Sequence, residues 1–298
     1  MWLARGAYAR NSSQNLKRGQ DVKRVDGLRF DEERALYGSS SLLVRDCRFE
    51  GDADGESALK ECRDIITENC YFDLRYPFWH DKRGNIIGCE LTENCRAALW
   101  YSEGFEIEGS RLHGIKALRE CKTIRITDCD IKSPEFGWST KGLHMENTRA
   151  EGEYFLLRAE KLRLKNVTFT GKYSFQYVKR AVIEDCDFNT KDAFWHAENI
   201  TVTDSVLKGE YLGWYSKNLT LVRCRIIGTQ PLCYCRGLRL IDCEMENTDL
   251  AFEKSDVKAT VTTHVDSIKN PLRGKITAPS VGKIIFDEKW AKGRVITS

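Results

Sequence analysis

Apolar residues recur through the middle of the chain at intervals of 19 positions. Each step of 19 from Ile107 reaches another apolar residue, and rows starting two residues earlier and five residues later do the same. Polar residues fill the positions between these rows, as alternation in half-buried β-strands requires. The rows are Ile107, Ile126, Met145, Leu164, Ile183, Val202, Leu221 and Leu240; Phe105, Ile124, Leu143, Leu162, Ala181, Ile200, Leu219 and Leu238; and Leu112, Ile131, Ala150, Phe169, Phe188, Leu207, Ile226 and Met245.

Turn-forming residues separate these strands at two further fixed positions. Asn, Asp and Gly suit such corners because they tolerate left-handed backbone angles. One period therefore reads as strand, corner, strand, corner, strand, and equivalent positions stack at roughly 4.8 Å between coils. The corner rows are Asp128, Asn147, Asn166, Asp185, Asp204 and Asp242, and Gly114, Gly152, Gly171, Gly209 and Gly228.

This repeat predicts an all-β chain that folds as a single-stranded, right-handed parallel β-helix of about 11 or 12 coils. We assign residues 1–33 to an N-terminal extension and cap, 34–263 to the helix, and 264–298 to a C-terminal cap and tail. Residues 1–28 are expected to be poorly ordered. A leucine-rich-repeat horseshoe is the alternative, but its period is usually longer and residues 209–216 read as strand rather than helix.

The composition and the N-terminal sequence limit which partners and which cellular compartment are expected. The chain has 298 residues, 47 Lys and Arg against 44 Asp and Glu, and a net charge of +3. Interspersed charges of both signs argue against nucleic acid as a partner. No apolar run approaches the roughly 20 residues of a membrane span, so no membrane association is expected. The N-terminus lacks the apolar stretch of a secretory signal, so we expect a cytoplasmic protein with reduced cysteines.

The twelve cysteines fit small buried positions better than a metal site. Most follow the Asp/Asn corner, where Ser, Thr and Val alternate with Cys, and Cys121 and Cys235 belong to a second row of small residues. Cys233 and Cys235 have no accompanying His or Cys group, so neither a metal nor another cofactor is predicted. The cysteines of the first row are Cys47, Cys70, Cys89, Cys129, Cys186, Cys224 and Cys243.

The third strand of each coil does not alternate. Its segments, such as 154–158, 193–196 and 212–215, contain three or four consecutive bulky residues, and these cannot all face the interior of a strand. Strand parity places a His/Tyr/Glu row outward and a Trp row mostly inward. Aromatic rings with polar tips suit sugars and other stacked ligands. The candidate ligand-binding residues are Trp100, Trp138, Arg158, Tyr177, Trp195, His196, Trp214, Tyr215 and Tyr234.

Neighbouring coils of this wall supply two candidate catalytic pairs. Glu61 lies beside His80 in the predicted stack, and Tyr101 lies beside Glu120, so that a carboxylate could orient a proton-transfer group in each pair. Three coils separate Glu61 from Glu120, or roughly 14 Å, which exceeds the spacing of a glycosidase carboxylate pair.

Several segments resemble a bacterial family of uncharacterised function. They include RALYGS (34–39), LRYPFWH (74–80), NCRAALWYSE (94–103), DAFWHAE (192–198) and GEYLGWYS (209–216). That family is assigned to the pectin-lyase-like right-handed parallel β-helices, and some members carry a hydrogenase label. The resemblance implies the fold and brings no established catalytic residues. No Cys-x-x-Cys pair is present to hold nickel or an iron–sulfur cluster.

Two functions remain open from the sequence. The aromatic face could bind a carbohydrate-like ligand, and an enzyme on it would be a lyase or hydrolase by fold analogy alone. Alternatively, the same face could serve a non-catalytic scaffold that binds another protein or forms a homo-oligomer.

Overall fold

The longest ladder of the structure takes one strand from every coil. The computed structural model describes residues 22–53 and 55–297, which form a parallel β-solenoid of about 14 turns with a spacing of about 19 residues. The strands of this first wall pair in parallel with those of the coils before and after. They are Lys23–Asp26, Ser40–Arg45, Arg63–Glu68, Lys82–Ile87, Glu103–Glu108, Lys122–Thr127, Lys141–Glu153, Glu160–Lys172, Lys179–Glu184, Glu198–Thr203, Lys217–Val222, Leu238–Glu246, Asp256–Val261, Arg273–Ala278 and Arg294–Thr297.

Shorter strands form the second wall. Lys141–Glu153, Glu160–Lys172 and Leu238–Glu246 continue from the first wall into this one. Its core position runs from Leu112 to Ile131 to Ala150, as the 19-residue step predicts. Its other strands are Arg29–Phe30, Arg48–Phe49, Tyr71–Phe72, Glu90–Leu91, Arg111–Leu112, Asp130–Lys132, Asp187–Lys191, Val206–Lys208 and Arg225–Ile227.

The predicted fold class and register are confirmed at the level of paired residues. Ile107 pairs with Ile126, and Ile126 pairs with Met145. All three of these side chains are buried, with at most 1% of their surface exposed. Because side chains alternate along a strand, a slip of one residue would turn each apolar row to solvent. Burial of the rows therefore fixes the register.

The third wall is built mainly of turns instead of the predicted strands. Regular strands occur at Phe78–Trp79, Leu99–Trp100 and Leu118–Arg119, and again near the C-terminus at Val265–Lys269 and Val281–Ile285. Between residues 154 and 254, every second residue of each turn has a positive φ; Asp192, Phe194 and His196 are one such set. Their amides still bond to neighbouring coils, since Phe194 N–H donates to Ser174 O and His196 N–H to Trp214 O.

Stacked phenylalanines fill much of the interior. Phe155 and Phe169 have ring centroids 4.5 Å apart, and Phe175 lies 4.8 Å from Phe194 with nearly parallel planes. These rings come from the second and third walls, so each coil is closed by contacts across its own interior as well as along the stack. Burial of each such ring contributes about 2–3 kcal/mol.

The predicted corners carry left-handed residues. Asp128, Asn147, Asn166 and Asp185 all have φ values between 49° and 54°. Neighbouring corners also bond along the stack, as Asn166 donates to the amide oxygen of Asn147 at 2.8 Å. These side chains therefore serve the backbone turn.

The ladder extends past the predicted helix range at both ends. Lys23–Asp26 pairs with the strand at 40–45, while Arg273–Ala278 and Arg294–Thr297 continue the first wall after residue 263. The predicted disorder of residues 1–28 falls largely on residues 1–21, which lie outside the described part of the chain.

All twelve cysteines are free and buried, as predicted for the nine that were placed in the two rows of small residues. Their thiols stack along the interior and donate to backbone carbonyls, as Cys121 does to Leu99 O at 3.4 Å. Burial raises the pKa of the Cys121 thiol to about 12 and that of Cys129 to about 11. These two thiols are therefore protonated at neutral pH.

One acidic residue lies inside this small-residue stack. Asp81 is fully buried; its Oδ1 accepts the Cys62 amide at 2.8 Å, while Oδ2 has no partner. Burial raises the pKa of Asp81 from 3.8 to about 9. On the next coil, Ser102 Oγ takes the same role by accepting the Asp81 amide at 3.1 Å. A serine hydroxyl therefore satisfies this position without a charge.

We predict that Asp81 makes the protein less stable as pH rises between about 4 and about 9. Over that range the folded chain retains a proton that the unfolded chain releases, so the free energy of unfolding falls by up to about 1.4 kcal/mol per pH unit. Asp81→Ser should remove this slope and stabilise the protein by about 2–4 kcal/mol at pH 7. Urea unfolding at several pH values measures both effects.

Asp187→Asn, at an exposed carboxylate that has no ion pair within residues 22–53 and 55–297, is the matched control and should leave the pH dependence unchanged. An Asp81→Ser variant that keeps the wild-type slope would contradict the assignment.

Candidate binding face

Most turns of the third wall consist of two consecutive buried rows followed by two consecutive outer rows. In one coil Ala193 and Phe194 are buried, Trp195 is half-buried and His196 is exposed. Alternating positive φ values break the strict in-and-out pattern of a strand. The His/Tyr row faces outward, as predicted, but the cause is the geometry of the turns and not the alternation of a strand.

Four rings and one guanidinium of the outermost row stack into a continuous column, which we call the exposed ladder: Arg158, Tyr177, His196, Tyr215 and Tyr234. The ring centroids are 5.0 Å apart for Tyr177–His196 and His196–Tyr215, and 4.8 Å apart for Tyr215–Tyr234. Interplanar angles are 6°, 7° and 13° in the same order. Arg158 covers the outer face of Tyr177 at 5.8 Å.

Tryptophans form a second column beside the exposed ladder. Trp195 and Trp214 are parallel with centroids 5.5 Å apart, and both are half-buried. Their indole N–H groups donate to Tyr211 O and Gln230 O at 2.8 Å, and Trp138 donates to Tyr154 O in the same way. These three tryptophans thus lie at the surface with their indole N–H groups bonded to the next coil, whereas strand parity placed the Trp row mostly inward.

A separate group of rings and cations occupies the N-terminal part of this wall. Trp79 and Trp100 stack at 5.4 Å, and Lys60 lies over Trp79 at 4.3 Å. The Arg119 guanidinium lies between Trp100 and Trp138, 5.4 Å and 5.5 Å from their centroids. Cation–π contacts of this kind contribute about 0.5–2 kcal/mol each. Ser139 and Leu157 separate this group from the exposed ladder.

The four candidate catalytic residues lie on consecutive coils of this N-terminal part, as their rows predict, but each side chain contacts a residue other than its predicted partner. Glu61 accepts a hydrogen bond from the Tyr37 hydroxyl at 2.7 Å, which raises the pKa of Tyr37. His80 stacks on Tyr101 at 5.0 Å.

The Glu120 carboxylate instead accepts a hydrogen bond from Arg119 Nε at 3.1 Å. Among the described residues, no hydrogen bond joins Glu61 to His80 or Tyr101 to Glu120. The arrangement holds these side chains in place without linking an acid to a base.

The exposed ladder presents ring edges rather than ring faces. Because the rings stack on one another, their faces are covered by the neighbouring coil, and their edges are left to solvent. Tyr177 and Tyr215 are 44% and 42% exposed. At the C-terminal end, burial and the nearby Glu253 carboxylate raise the pKa of Tyr234. The ladder can therefore donate and accept hydrogen bonds along the solenoid axis.

Two contributors to this wall were missed from the sequence. Tyr37 lies one coil before Lys60, because paired residues of these two coils, such as Ser40 and Arg63, are 23 positions apart instead of 19. Its hydroxyl reaches the Glu61 carboxylate.

Tyr154 and Tyr173 stack with ring centroids 4.9 Å apart, and each immediately precedes the two buried residues of its turn. These two tyrosines are 19 residues apart in the sequence, and this spacing could have predicted that they stack.

The described residues form neither a metal cluster nor a membrane-spanning helix. No three His, Cys, Asp or Glu side chains within 22–53 and 55–297 are grouped to hold a metal ion. Over the same residues, there is no helix with the length and hydrophobicity that crossing a membrane requires.

Structural comparison finds solved solenoids of low similarity. A surface adhesin of Streptococcus pneumoniae, PfbA, is 11% identical with a TM-score of 0.35, covering 75% of this chain and 70% of its own. The A-module of the Azotobacter vinelandii mannuronan C-5 epimerase AlgE4 is 12% identical, with a TM-score of 0.22 and 80% of each chain covered. A Yersinia enterocolitica family 28 exopolygalacturonase is 10% identical, with a TM-score of 0.22, covering 92% of this chain and 72% of its own. Values this low carry no argument about function.

Sequence comparison is more decisive about the family. No curated protein matches the chain. A family model described as "Protein of unknown function (DUF3737)" matches residues 23–297, which is almost the entire described chain. The chain therefore belongs to the DUF3737 family of proteins of unknown function.

Proposed function

We propose that the protein binds a carbohydrate-like ligand along the exposed ladder. The observation that carries this proposal is the column of four aromatic rings and Arg158 held in register at the surface. Large aromatic side chains are costly to leave exposed, and a stacked column of them marks a surface that contacts something else. The polar tips of the rings suit a ligand rich in hydroxyl groups.

The spacing of the column supports an elongated ligand. Each coil places one Tyr or His edge roughly 4.8 Å further along the axis, and a pyranose ring is of similar length. A linear sugar chain along the axis could therefore meet the Tyr177, His196 and Tyr215 edges in succession. Preorganised side chains also reduce the entropy lost on binding.

A protein partner is the second candidate, and one observation favours it. Because the ring faces are occupied by stacking, the ladder lacks the open flat platform on which a sugar ring packs best. Exposed tyrosines with buried bodies and free hydroxyls are enriched at protein interfaces. A second copy of the chain could bury the same column.

Binding without catalysis is the extent of this proposal. Glu61 and Glu120 stand three coils apart, and each carboxylate already has a hydrogen-bond partner on the protein. Within the described residues, Glu61 has no hydrogen bond to His80 and Glu120 has none to Tyr101.

We predict that a glycan array identifies a ligand and that Tyr215→Ala weakens its binding about tenfold, the equivalent of one lost aromatic contact. Trp195→Ala should weaken binding similarly, while Tyr215→Phe, which keeps the stack, isolates the hydroxyl. Tyr154→Ala is the matched control, because Tyr154 is an exposed tyrosine of the same wall outside the ladder.

Light scattering of the same proteins distinguishes the two candidates. If the wild-type protein is a dimer, Tyr215→Ala is a monomer and no glycan binds, the exposed ladder serves self-association and the carbohydrate proposal is wrong. If the protein shows no glycan binding and no self-association, both candidate functions are overturned.

We also predict that the ladder stabilises the fold through its stacking. His196→Ala removes two ring contacts and should lower the free energy of unfolding by about 1–2 kcal/mol. His196→Phe should cost less than about 0.5 kcal/mol, because it restores both contacts, and Phe194 shows that phenylalanine is accepted at a positive φ in this wall. Urea unfolding tests the pair; equal losses for the two variants would show that stacking contributes nothing.

A further inference from the structure

The first wall carries a column of cations at its C-terminal end. Arg239 pairs with Lys258, Lys258 with Lys275, and Lys275 with Arg294, so four basic residues stand side by side on consecutive coils. All four side chains are exposed. We call this set the basic column. It is the longest unbroken run of basic residues in any paired column of the described chain.

None of these four residues has a salt bridge or side-chain hydrogen bond within the described residues. Elsewhere the solenoid pairs opposite charges on adjacent coils: Arg83 contacts Asp64 at 2.7 Å, Arg223 contacts Asp204 at 2.7 Å, and Arg180 contacts Glu160 at 2.8 Å. Like charges directly opposite one another in a sheet destabilise it. Like-charged neighbours also occur elsewhere, as at Arg63 and Lys82, but there they extend over only two coils. The basic column places four cations on consecutive coils.

A shallow groove runs along the basic column. It has a volume of about 590 Å³, within the range of ligand sites. Thr260 and Thr277 supply hydroxyls beside the cations, and Ile241 adds an apolar surface that is 43% exposed. Asp242 is the one carboxylate lining the groove, and its Oδ1 accepts the Thr260 hydroxyl at 3.0 Å.

The geometry points to a linear anionic polysaccharide as the ligand of this groove, and we propose it as a second binding site. Four cations in a straight line, spanning roughly 14 Å at the inter-coil spacing, match a chain of charges better than a single anion, which would need converging donors. The sugar backbone accounts for the hydroxyl and apolar positions beside the cations.

Nucleic acid fits this groove less well. Binding of single strands depends on aromatic side chains on which bases stack, and no aromatic residue lines the groove. A membrane surface fits poorly too, since the cations line a groove in a sheet and do not border an exposed apolar helix face.

This site is independent of the exposed ladder. It lies on a different wall and uses no residue of the third wall, so either site can fail without the other. Removing a ring from the ladder, as in Tyr215→Ala, should leave anion binding at the basic column unchanged.

The test compares two oligosaccharides that share a β-1,4-linked glucose backbone. Cellohexaose is neutral, and its oxidised hexauronate carries one carboxylate per sugar. Calorimetry at about 10 mM salt should detect the uronate and not the neutral oligomer, and about 150 mM salt should weaken binding. Oligo-dT and inorganic polyphosphate are measured alongside as other polyanions.

Charge-removing variants locate the site. Lys258→Gln/Lys275→Gln should weaken uronate binding at least tenfold, because each substitution removes a charge-assisted contact. The control Lys132→Gln/Lys208→Gln removes two exposed lysines of the second wall that likewise have no ion pair with any described residue, and it should change binding less than about twofold.

The unliganded proteins provide a readout that does not depend on the probe. Without ligand, Lys258→Gln/Lys275→Gln should raise the melting temperature at low salt, since it relieves repulsion, and salt should erase the difference. A lowered melting temperature would show that the cations stabilise the fold and would contradict the proposal.

Three binding results would overturn the proposed site for an anionic polysaccharide. They are equal affinity for the charged and neutral oligomers, undiminished uronate binding by the double variant, and tighter binding of oligo-dT or polyphosphate than of the uronate.

Discussion

Registered stacking of one coil on the next is the constraint on which the whole molecule depends. Parallel backbone hydrogen bonds hold the coils together, and a repeat of about 19 residues returns each side chain to the same position. Apolar rows then form a continuous interior, and polar rows form continuous surface columns. Any chemistry placed on this scaffold is consequently repeated along a line, which explains why both candidate sites are columns rather than pockets.

The third wall shows how strongly the stack can override local preference. A left-handed conformation costs a bulky residue about 1–2 kcal/mol, yet Tyr173, Phe175 and Tyr177 adopt it within one turn. Inter-coil hydrogen bonds, at about 1 kcal/mol each, and burial of rings such as Phe175 together offset that cost. The same backbone path turns the Trp and His/Tyr rows outward next to each other, and stacking then covers their faces. The surface that results offers edges, hydroxyls and ring nitrogens.

The sequence was most informative where the period is regular. The 19-residue step placed Ile107, Ile126 and Met145 in one buried row, and the structure pairs them so. It did not reveal the turns of the third wall, because no local pattern identifies bulky residues at positive φ. The basic column was hidden for a different reason: Lys258 and Lys275 are only 17 residues apart, so a fixed step of 19 loses the row there. Side-chain pairing, such as Tyr37 with Glu61, depends on insertions whose path the repeat does not define.

Methyl contacts along one outward column test this account most directly. Val182, Thr201 and Thr220 are consecutive members of a first-wall column, and all three carry methyl groups. Selective methyl labelling of Val and Thr, followed by nuclear Overhauser spectroscopy, should link Val182 to Thr201 and Thr201 to Thr220. Cross-peaks that instead join Val182 to Val202, or the absence of contacts between residues 19 apart, would contradict the registered solenoid.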